Sequence, residues 1–354
     1  MEKQMIYHDL VINNQICNLK CEYCESFGFS VGTNKLYDAK LDTSAIFQLM
    51  VNVLHNINAP ILKISGGELF VFRNVVGLIK KLSSLYDHIH VITNGTLLTR
   101  KILDELSEIE NISLNISLDG HTKKMNAMRF HGCDYIDHIL DAVFYGLEKQ
   151  IPIEVTSVIT NTNFSEYFYF LDFLSKSFKN VLAVPIPVRG KRSLELFSAE
   201  NRGRFADMLD EHYGEFSQIL PFSRYCERLS QFLRNPNYIN NHRCLIPAVA
   251  LQVFDNGKIV PCPLGWTSPI VDLFKEDSID IGDFDKGIYR ILLHKNSLLE
   301  MCMDCFSNSD CINMFLHGEA TVDALSCFPM FRDSNVQRIL QLVRNELVKK
   351  ELIN

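Results

Sequence analysis

The sequence lacks the segments that mark exported and membrane-spanning proteins. Its first fifteen residues, MEKQMIYHDLVINNQ, contain no apolar stretch of signal-peptide length. No part of the chain approaches the ~18 uncharged apolar residues that a membrane helix needs. We therefore expect a protein that is not exported, has no membrane partner and lies in the cytoplasm.

Basic runs are also missing. The net charge is −7, and no cluster of lysine and arginine forms a stripe that could follow a phosphate backbone, so we expect no nucleic-acid partner. Internal repeats, low-complexity tracts and flexible linkers are absent too. With 354 residues, of which 47% are hydrophobic, the chain can build one large α/β barrel and a smaller module.

Cysteine, by contrast, is abundant. The chain has eleven cysteines, an unusual number for a protein that is not exported. A disulfide framework is not expected in a reducing compartment, where clustered cysteines more often bind metal or take part in chemistry.

Residues 8 to about 215 alternate between short apolar runs and longer segments of helical spacing. The apolar runs are Leu10–Ile12, Ile61–Ile64, Ile89–Thr93, Ile112–Ser117, Ile153–Ile159 and Val181–Ile186. The helical segments are Thr43–His55, Val71–Leu85, Leu97–Ser107, Asp134–Lys149 and Ser165–Ser175. This alternation predicts parallel strands joined by right-handed crossovers. The pattern leaves the order of the strands and the closure of a barrel open.

The character of the sequence changes near residue 216, beyond which seven of the eleven cysteines lie. Val249–Phe254 and Lys258–Val260 flank an Asp-Asn-Gly turn and predict a β-hairpin. Asn335–Leu352 predicts a closing amphipathic helix. We expect three regions: a core barrel over 1–215, a cysteine-rich module over 216–334 and a terminal helix over 335–354.

The first cysteine cluster follows the first predicted strand. Cys17, Cys21 and Cys24 are separated by three and then two residues. A loop that leaves a parallel strand at its carboxyl end opens onto the face where α/β barrels place active sites. Three thiolates can hold three irons of a 4Fe–4S cluster and leave the fourth iron without a protein ligand. A zinc site, with His8 as the nearby fourth ligand, fits this spacing poorly, and buried thiols are the other alternative.

This spacing, with the aromatic Tyr23 before the last cysteine, resembles the signature of the radical S-adenosylmethionine (SAM) superfamily. The resemblance implies a partial (β/α)6 barrel of TIM type with a 4Fe–4S cluster, whose open iron is chelated by the amino and carboxylate groups of SAM. It also implies an electron donor such as flavodoxin or ferredoxin. SAM would then be cleaved to a 5′-deoxyadenosyl radical that abstracts a substrate hydrogen.

Polar motifs follow the next three strands, where they would converge at one mouth of a barrel. The first is Ser65-Gly66-Gly67-Glu68, which resembles the family's SAM-binding GGE motif. Alone, each motif would be read as an ordinary turn. By resemblance, Asn94 and Ser117 lie near SAM, and Asp119 and Arg129 lie near SAM or substrate.

The second cysteine cluster resembles the SPASM extension of radical SAM enzymes, which binds auxiliary Fe–S clusters. Its matching cysteines are Cys244, Cys262, Cys302, Cys305, Cys311 and Cys327, with Gly257 between the first two. The resemblance fails at Phe315, where the family has a cysteine, so six cysteines cannot complete two four-ligand clusters. We expect one complete auxiliary 4Fe–4S cluster on Cys302, Cys305, Cys311 and Cys327. Cys244 and Cys262 would then complete a partial second cluster or lie beside the hairpin. The alternatives are a twitch module, which would instead hold a single cluster on Cys244, Cys262 and two of the later cysteines, and a four-thiolate zinc site.

Two cysteines lie outside both clusters. Cys133 is interpreted as a loop thiol. Cys226 has three interpretations: a buried apolar side chain, an extra cluster ligand, or a catalytic thiol that donates hydrogen to a substrate radical, as in radical SAM epimerases.

The function expected from the resemblance is modification of a ribosomally made peptide by epimerisation, crosslinking or thioether formation. Pro263 follows Cys262, where sulfatase-maturing relatives have an aspartate, which argues against formylglycine formation. Cys17 leaves no room for a leader-binding domain before the barrel, so a separate protein or the barrel would recognise a leader. The alternatives are an epimerase or dehydrogenase of a small molecule such as an aminoglycoside, and a non-catalytic zinc or Fe–S module.

Overall fold

The computed structural model describes residues 3–13, 16–24, 29–30, 40–189, 192–235, 244–260, 271–272 and 305–349. The strands are β1 (Lys3–Gln4), β2 (Tyr7–Ile12), β3 (Ile16–Cys17), β4 (Phe29–Ser30), β5 (Ile57–Asn58), β6 (Ile61–Gly66), β7 (His88–Thr93), β8 (Ile112–Ser117), β9 (Ile153–Ile159), β10 (Leu182–Pro187), β11 (Ala250–Phe254), β12 (Lys258–Val260) and β13 (Val271–Asp272).

The helices alternate with the strands over the first half of the chain. They are α1 (Thr43–Asn56), α2 (Val75–Leu82), α3 (Arg100–Ser107), α4 (Ala127–Phe130), α5 (Ile136–Glu148), α6 (Tyr167–Ser177), α7 (Ser193–Leu196), α8 (Ala199–Phe216), α9 (Ser223–Arg234) and α10 (Ile246–Val249), with later helices over Asp310–Leu316, Val322–Leu325 and Ser334–Lys349. Short 3-10 turns cover Leu69–Val71, Phe164–Glu166 and Pro329–Phe331.

One sheet organises the fold, in the order β10-β9-β8-β7-β6-β2-β11-β12-β13. Six of its strands are parallel and lie side by side in the order of the sequence: β2, β6, β7, β8, β9 and β10. Each crossover between them carries helical segments. The predicted α/β fold with six strand–helix units is therefore confirmed, as a partial barrel of TIM type whose sheet continues into β11.

The predicted elements match the observed ones apart from their ends. The clearest difference is at α2, which begins at Val75 although apolar spacing begins at Val71. The intervening Leu69–Val71 forms a separate 3-10 turn, because the side chain of Glu68 accepts a hydrogen bond from the backbone N–H of Phe70 and caps that turn.

The predicted hairpin joins the barrel sheet. β11 and β12 pair antiparallel, and β11 also pairs parallel to β2. At the turn, the backbone N–H of Asp255 donates to the carbonyl oxygen of Val11. The side chain of Asp255 accepts from the backbone N–H of Asn13 at 3.1 Å. The region after residue 216 therefore contacts the segment that leads into the first cysteine cluster.

The helix Asp310–Leu316 and the turn that follows it pack on α9. Glu319 accepts hydrogen bonds from Arg224 at 2.7 Å and Arg228 at 3.2 Å, two arginines of α9. The predicted closing helix is confirmed over Ser334–Lys349, and residues 350–352 of that prediction lie outside the described residues. Among the helices described, none combines the length and apolar character that a membrane crossing requires. The three predicted regions remain a prediction.

Candidate active site

The first cysteine cluster lies on a loop that leaves β2 and passes over the ends of the neighbouring strands. Its beginning touches the backbone of the Gly66–Gly67 turn. The carbonyl oxygen of Ile16 accepts from Glu68 N at 2.8 Å. A Cβ atom added to Gly66 would lie 2.0 Å from the carbonyl oxygen of Ile12, and one on Gly67 would lie 1.9 Å from that of Ile16. Both glycines are therefore required by close backbone packing.

Glu68 is buried and its carboxylate is used inside the protein. It accepts from the backbone N–H of Asn94 at 2.7 Å and from the hydroxyl of Thr93 at 2.7 Å. The backbone N–H groups of Leu69 and Phe70 donate to it as well. Burial nevertheless raises the pKa of Glu68. These contacts make Glu68 a link between the ends of β6 and β7, and its expected contact with the SAM ammonium remains a prediction.

Asn94 connects the end of β7 to the loop. Its amide nitrogen donates to Asn18 Oδ1 at 2.9 Å and lies 3.9 Å from the Cys17 sulfur. Its oxygen accepts from the backbone N–H and the hydroxyl of Thr96. Asn18 in turn donates to the Thr96 hydroxyl at 2.8 Å. Three polar side chains therefore hold the part of the loop that carries Cys17.

Asp119 connects the end of β8 to the far part of the loop. The hydroxyl of Tyr23 donates to Asp119, and Arg129 makes a two-pronged ion pair with it at 3.1 and 2.8 Å. Burial opposes the charge of Arg129, but Asp119 more than compensates, so the pKa of Arg129 lies above its ordinary value. Ser117, the last residue of β8, is half-buried and pairs with Thr156.

Cys17 and Cys21 are thiols with raised pKa values. Burial raises the pKa of Cys17 to about 12 and that of Cys21 to about 11. Neighbouring thiols add to this effect, since Cys21 and Cys24 raise the pKa of Cys17 and Cys24 raises that of Cys21. A bound metal cation would supply the positive charge that three adjacent thiolates need. The donor set therefore fits an iron–sulfur cluster.

No group of three or more histidine, cysteine, aspartate and glutamate side chains in the described part of the chain is arranged to hold a metal ion. The Cys21 thiol instead donates to the carbonyl oxygen of Arg129 at 3.6 Å, and the Cys17 sulfur accepts from Leu19 N at 3.4 Å. Ligation would replace these contacts. Cluster binding at Cys17, Cys21 and Cys24 therefore stays a prediction.

His8, the candidate fourth ligand of a zinc site, is fully buried on β2. Its Nδ1 bonds to the hydroxyl of Tyr86 at 2.9 Å, and burial lowers its pKa to about 3. Its neighbour Asp9 bonds instead to Ser65 and Gln252. Neighbouring residues of a strand point to opposite faces of the sheet. His8 therefore lies on the face opposite to Asp9, and the face that carries Asp9 is polar.

That polar face was not predicted as a feature of the site. Residues that pair across neighbouring strands share one face of a sheet. The register places these polar side chains together: Gln252, Asp9, Lys63, His90, Ser113, Asn115, Ser117, Glu154 and Thr156. Asn115 donates to Glu154 at 3.1 Å, and His90 Nε2 lies 3.8 Å from Glu154. This face suits contacts with polar groups.

Burial dominates the electrostatics of this face. It raises the pKa of Glu154 to about 7 and lowers that of His90 well below its ordinary value. The His90–Glu154 contact is therefore one between a neutral imidazole and a carboxyl group that can retain its proton up to neutral pH.

The described cysteines of the second cluster lie at the other end of the strands. Cys311 is buried on the helix Asp310–Leu316, within electrostatic range of Cys327 and Glu154. Cys244 accepts from Asn313 of the same helix at 3.6 Å. Phe315 is buried one turn after Cys311, and the Arg344 guanidinium lies 5.9 Å from its ring. Cys305 is half-buried, and Cys262 and Cys302 lie outside the described residues. The auxiliary ligand set remains a prediction.

Cys226 lies on α9 and lines a cleft of about 360 Å³ between α8 and α9. It is 2% exposed, and its thiol donates to the carbonyl oxygen of Pro221 at 3.6 Å. It is within electrostatic range of Cys327, which interacts with Glu154 near the beginning of β9. Asp119, by contrast, accepts a hydrogen bond from the backbone N–H of Val158. Val158 comes four residues after Glu154, which is about 13 Å along β9 at ~3.3 Å per residue. Cys226 is therefore packed within the protein, and hydrogen donation by its thiol stays a prediction.

The loop anchors could be predicted from the sequence only in part. The strand-end motifs mark Glu68, Asn94 and Asp119, but nothing in their spacing shows that they bond to one another and to the loop. Asn18 and Thr96 were missed, because single polar residues in turns are common. Tyr23 was recognised as an aromatic residue, whereas the role of its hydroxyl depends on Asp119.

Comparison with known proteins identifies the domain that carries this loop. Residues 13–172 match the radical SAM superfamily. This stretch is a radical SAM domain. The chain is 32% identical over 178 residues to a GTP 3′,8-cyclase of Clostridium perfringens, covering 49% of this chain and 51% of that protein. It is 26% identical over 180 residues to neomycin C epimerase of Streptomyces fradiae, covering 50% and 54%.

A third relative is the sporulation killing factor maturation protein SkfB of Bacillus subtilis. It is 25% identical over 150 residues, which are 42% of this chain and 35% of SkfB. The chain thus spans about half the length of the cyclase and of the epimerase, and about a third of SkfB.

Solved structures share the fold over more of the chain. SuiB of Streptococcus suis bound to S-adenosylmethionine has a TM-score of 0.62 at 16% identity, covering 87% of this chain and 68% of SuiB. Native anSMEcpe with bound AdoMet has a TM-score of 0.62 at 17% identity, covering 96% of this chain and 99% of the anSMEcpe chain.

The close packing at Gly67 predicts a selective cost of substitution. Gly67→Ala should lower the free energy of unfolding by about 1–3 kcal/mol, because the added methyl group meets fixed backbone atoms. Gly77→Ala is the matched control: Gly77 lies in α2 with nothing within 4 Å of an added Cβ, and alanine favours a helix. Chemical denaturation measures both. Equal effects of the two substitutions would contradict the packing argument.

The raised pKa of Glu154 predicts a pH dependence of stability. Between its ordinary value of 4.5 and its folded value of about 7, the folded chain retains a proton that the unfolded chain has lost. The free energy of unfolding should therefore fall as pH rises through this window and level off above it. Glu154→Gln should remove this contribution to the pH dependence. The measurement is the free energy of unfolding of variant and wild type, obtained by chemical denaturation and plotted against pH across the window. Parallel curves would show that Glu154 ionises normally.

Proposed function

We propose that this chain is a radical SAM enzyme that modifies a ribosomally synthesised peptide. The observation that carries the proposal is the loop of Cys17, Cys21 and Cys24 at the carboxyl ends of the parallel strands, within the radical SAM domain. Barrel enzymes place their reacting groups at this end of the strands. Cys17, Cys21 and Cys24 would hold a 4Fe–4S cluster, and the cluster with bound SAM would supply a 5′-deoxyadenosyl radical for hydrogen abstraction.

The chain's own residues would prepare this site. Gly66 and Gly67 allow the loop to lie against β6. Glu68 fixes the turn after β7, so that Asn94 stays next to Cys17. The polar face that includes Ser117 and Thr156 would bind polar parts of SAM or substrate. A flavodoxin or ferredoxin would deliver the electron.

The peptide class is supported by two comparisons. SkfB is named as a maturation protein of a killing factor, and SuiB, which shares the fold, has been solved with its precursor peptide SuiA. The product would be an epimerised residue, a crosslink or a thioether, and a separate leader-binding protein could assist.

A second candidate is epimerisation or dehydrogenation of a small molecule, such as an aminoglycoside. The likeness to neomycin C epimerase over 180 residues favours it. In either case Cys226 is a candidate hydrogen donor only if its buried thiol can reach the substrate. A short precursor-peptide gene beside the gene for this chain would favour the peptide, and a sugar pathway would favour the small molecule.

The auxiliary module would hold at least one further 4Fe–4S cluster. Its proposed ligands are Cys302, Cys305, Cys311 and Cys327, with Cys244 and Cys262 next to it. The buried Cys311 near Cys327 supports a shared site.

Replacing Cys17, Cys21 and Cys24 together with alanine should remove about four irons per chain and abolish formation of 5′-deoxyadenosine from SAM under dithionite. The variant should keep about four irons if the auxiliary cluster exists. Cys133→Ala is the matched control, since Cys133 is exposed and lies outside both clusters. Iron analysis and chromatography measure the two quantities. Retained SAM cleavage in the triple variant would refute the proposal, and stoichiometric zinc in place of the remaining iron would refute the auxiliary cluster.

A further inference from the structure

The ion pair of Asp119 and Arg129 is placed to act on the cysteine loop. Both side chains are nearly completely buried, at 2% and 6% exposure. Arg129 lies over the ring of Tyr23, 5.5 Å from its centre. The Tyr23 hydroxyl bonds to the same carboxylate. Tyr23 is thus held by its ring and its hydroxyl at once.

The carboxylate of Asp119 has little capacity left for a ligand. Oδ1 accepts from Arg129 Nη2 at 2.8 Å and from the backbone N–H of Val158 at 2.9 Å. Oδ2 accepts from Arg129 Nε at 3.1 Å and from Tyr23. An ionised carboxylate offers about four acceptor sites, and all are used within the protein.

The backbone next to this pair holds the loop beside Cys21. The carbonyl oxygen of Met128 accepts from Glu22 N at 2.9 Å, and that of Arg129 accepts from the Cys21 thiol at 3.6 Å. Side-chain contacts from His131 to Lys20 and Glu22, and from Arg192 to Glu22, are exposed by comparison. The connection from Tyr23 to the buried Asp119–Arg129 pair is less exposed and is the stronger one, because hydrogen bonds to a charged group gain strength away from water.

We propose that Tyr23, Asp119 and Arg129 form a clamp that positions Cys21, and that the Asn18–Asn94–Thr96 network separately positions Cys17. The purpose of the clamp rests on the proposed function, since it would keep the thiols ready for a cluster. Asp119 and Arg129 are then positioning residues, and the hydroxyl of Tyr23 is the side-chain hydrogen bond that couples Asp119 to the loop.

The test is site-resolved alkylation of the metal-free chain by iodoacetamide, followed by mass spectrometry. Tyr23→Phe removes only the hydroxyl, and the loss of a half-buried bond to a charged group should raise the rate at Cys21 by about tenfold. The rate at Cys17 should stay at the wild-type value. Asn18→Ala is the matched control and should do the reverse. In iron-loaded protein, Tyr23→Phe should also release iron to a chelator faster than wild type.

An unchanged rate at Cys21 in Tyr23→Phe would overturn the clamp. So would equal acceleration at Cys17 and Cys21 with a lowered melting temperature, which would indicate general destabilisation. Alkylation requires neither SAM nor iron, so its result is independent of the proposed function. If the clamp proposal fails, the wild-type chain should still cleave SAM. If the proposed function fails, the wild-type chain should not cleave SAM, but the alkylation pattern should still hold.

Discussion

The pairing of β2 on both edges is the constraint on which the rest of the structure depends. β2 is bonded to β6 on one side and to β11 on the other, so it joins the barrel strands to the hairpin. The cysteine loop begins where β2 ends. Its starting point is fixed from both sides, by the backbone of Gly66 and Gly67 and by the carboxylate of Asp255. A loop that began from a sheet edge would lack one of these contacts.

From this starting point the loop is held in turn by the ends of three successive strands. β6 supplies a surface without side chains, β7 supplies amide and hydroxyl groups, and β8 supplies a buried ion pair. The three kinds of contact differ in their physical basis. The first depends on close packing, the second on neutral hydrogen bonds and the third on charge in a region with little water. Each acts on a different part of the loop.

The sequence predicted the framework well, because six strands and their helices follow simple hydrophobic periodicity. It also located the three strand-end motifs and the hairpin. It could not show that Glu68 and Asp119 direct their carboxylates to protein donors, since a motif gives the position of a side chain and not its partners. The polar face of the sheet was missed for a related reason. His90, Asn115 and Glu154 occupy strands far apart in sequence, and only the register brings them together.

The parallel pairing of β2 with β11 also has a consequence for the order of folding. Tyr7 is matched with Ala250, so one edge of β2 has no partner until more than two-thirds of the chain has been made. At ~5–20 residues per second, synthesis of the intervening segment takes on the order of ten seconds or more. During that time the nascent barrel presents an open strand edge, which is a template for wrong pairing. Pairing of β11 would thus also end a period in which the chain is exposed to aggregation. The ribosome synthesises β11 only after the whole radical SAM domain.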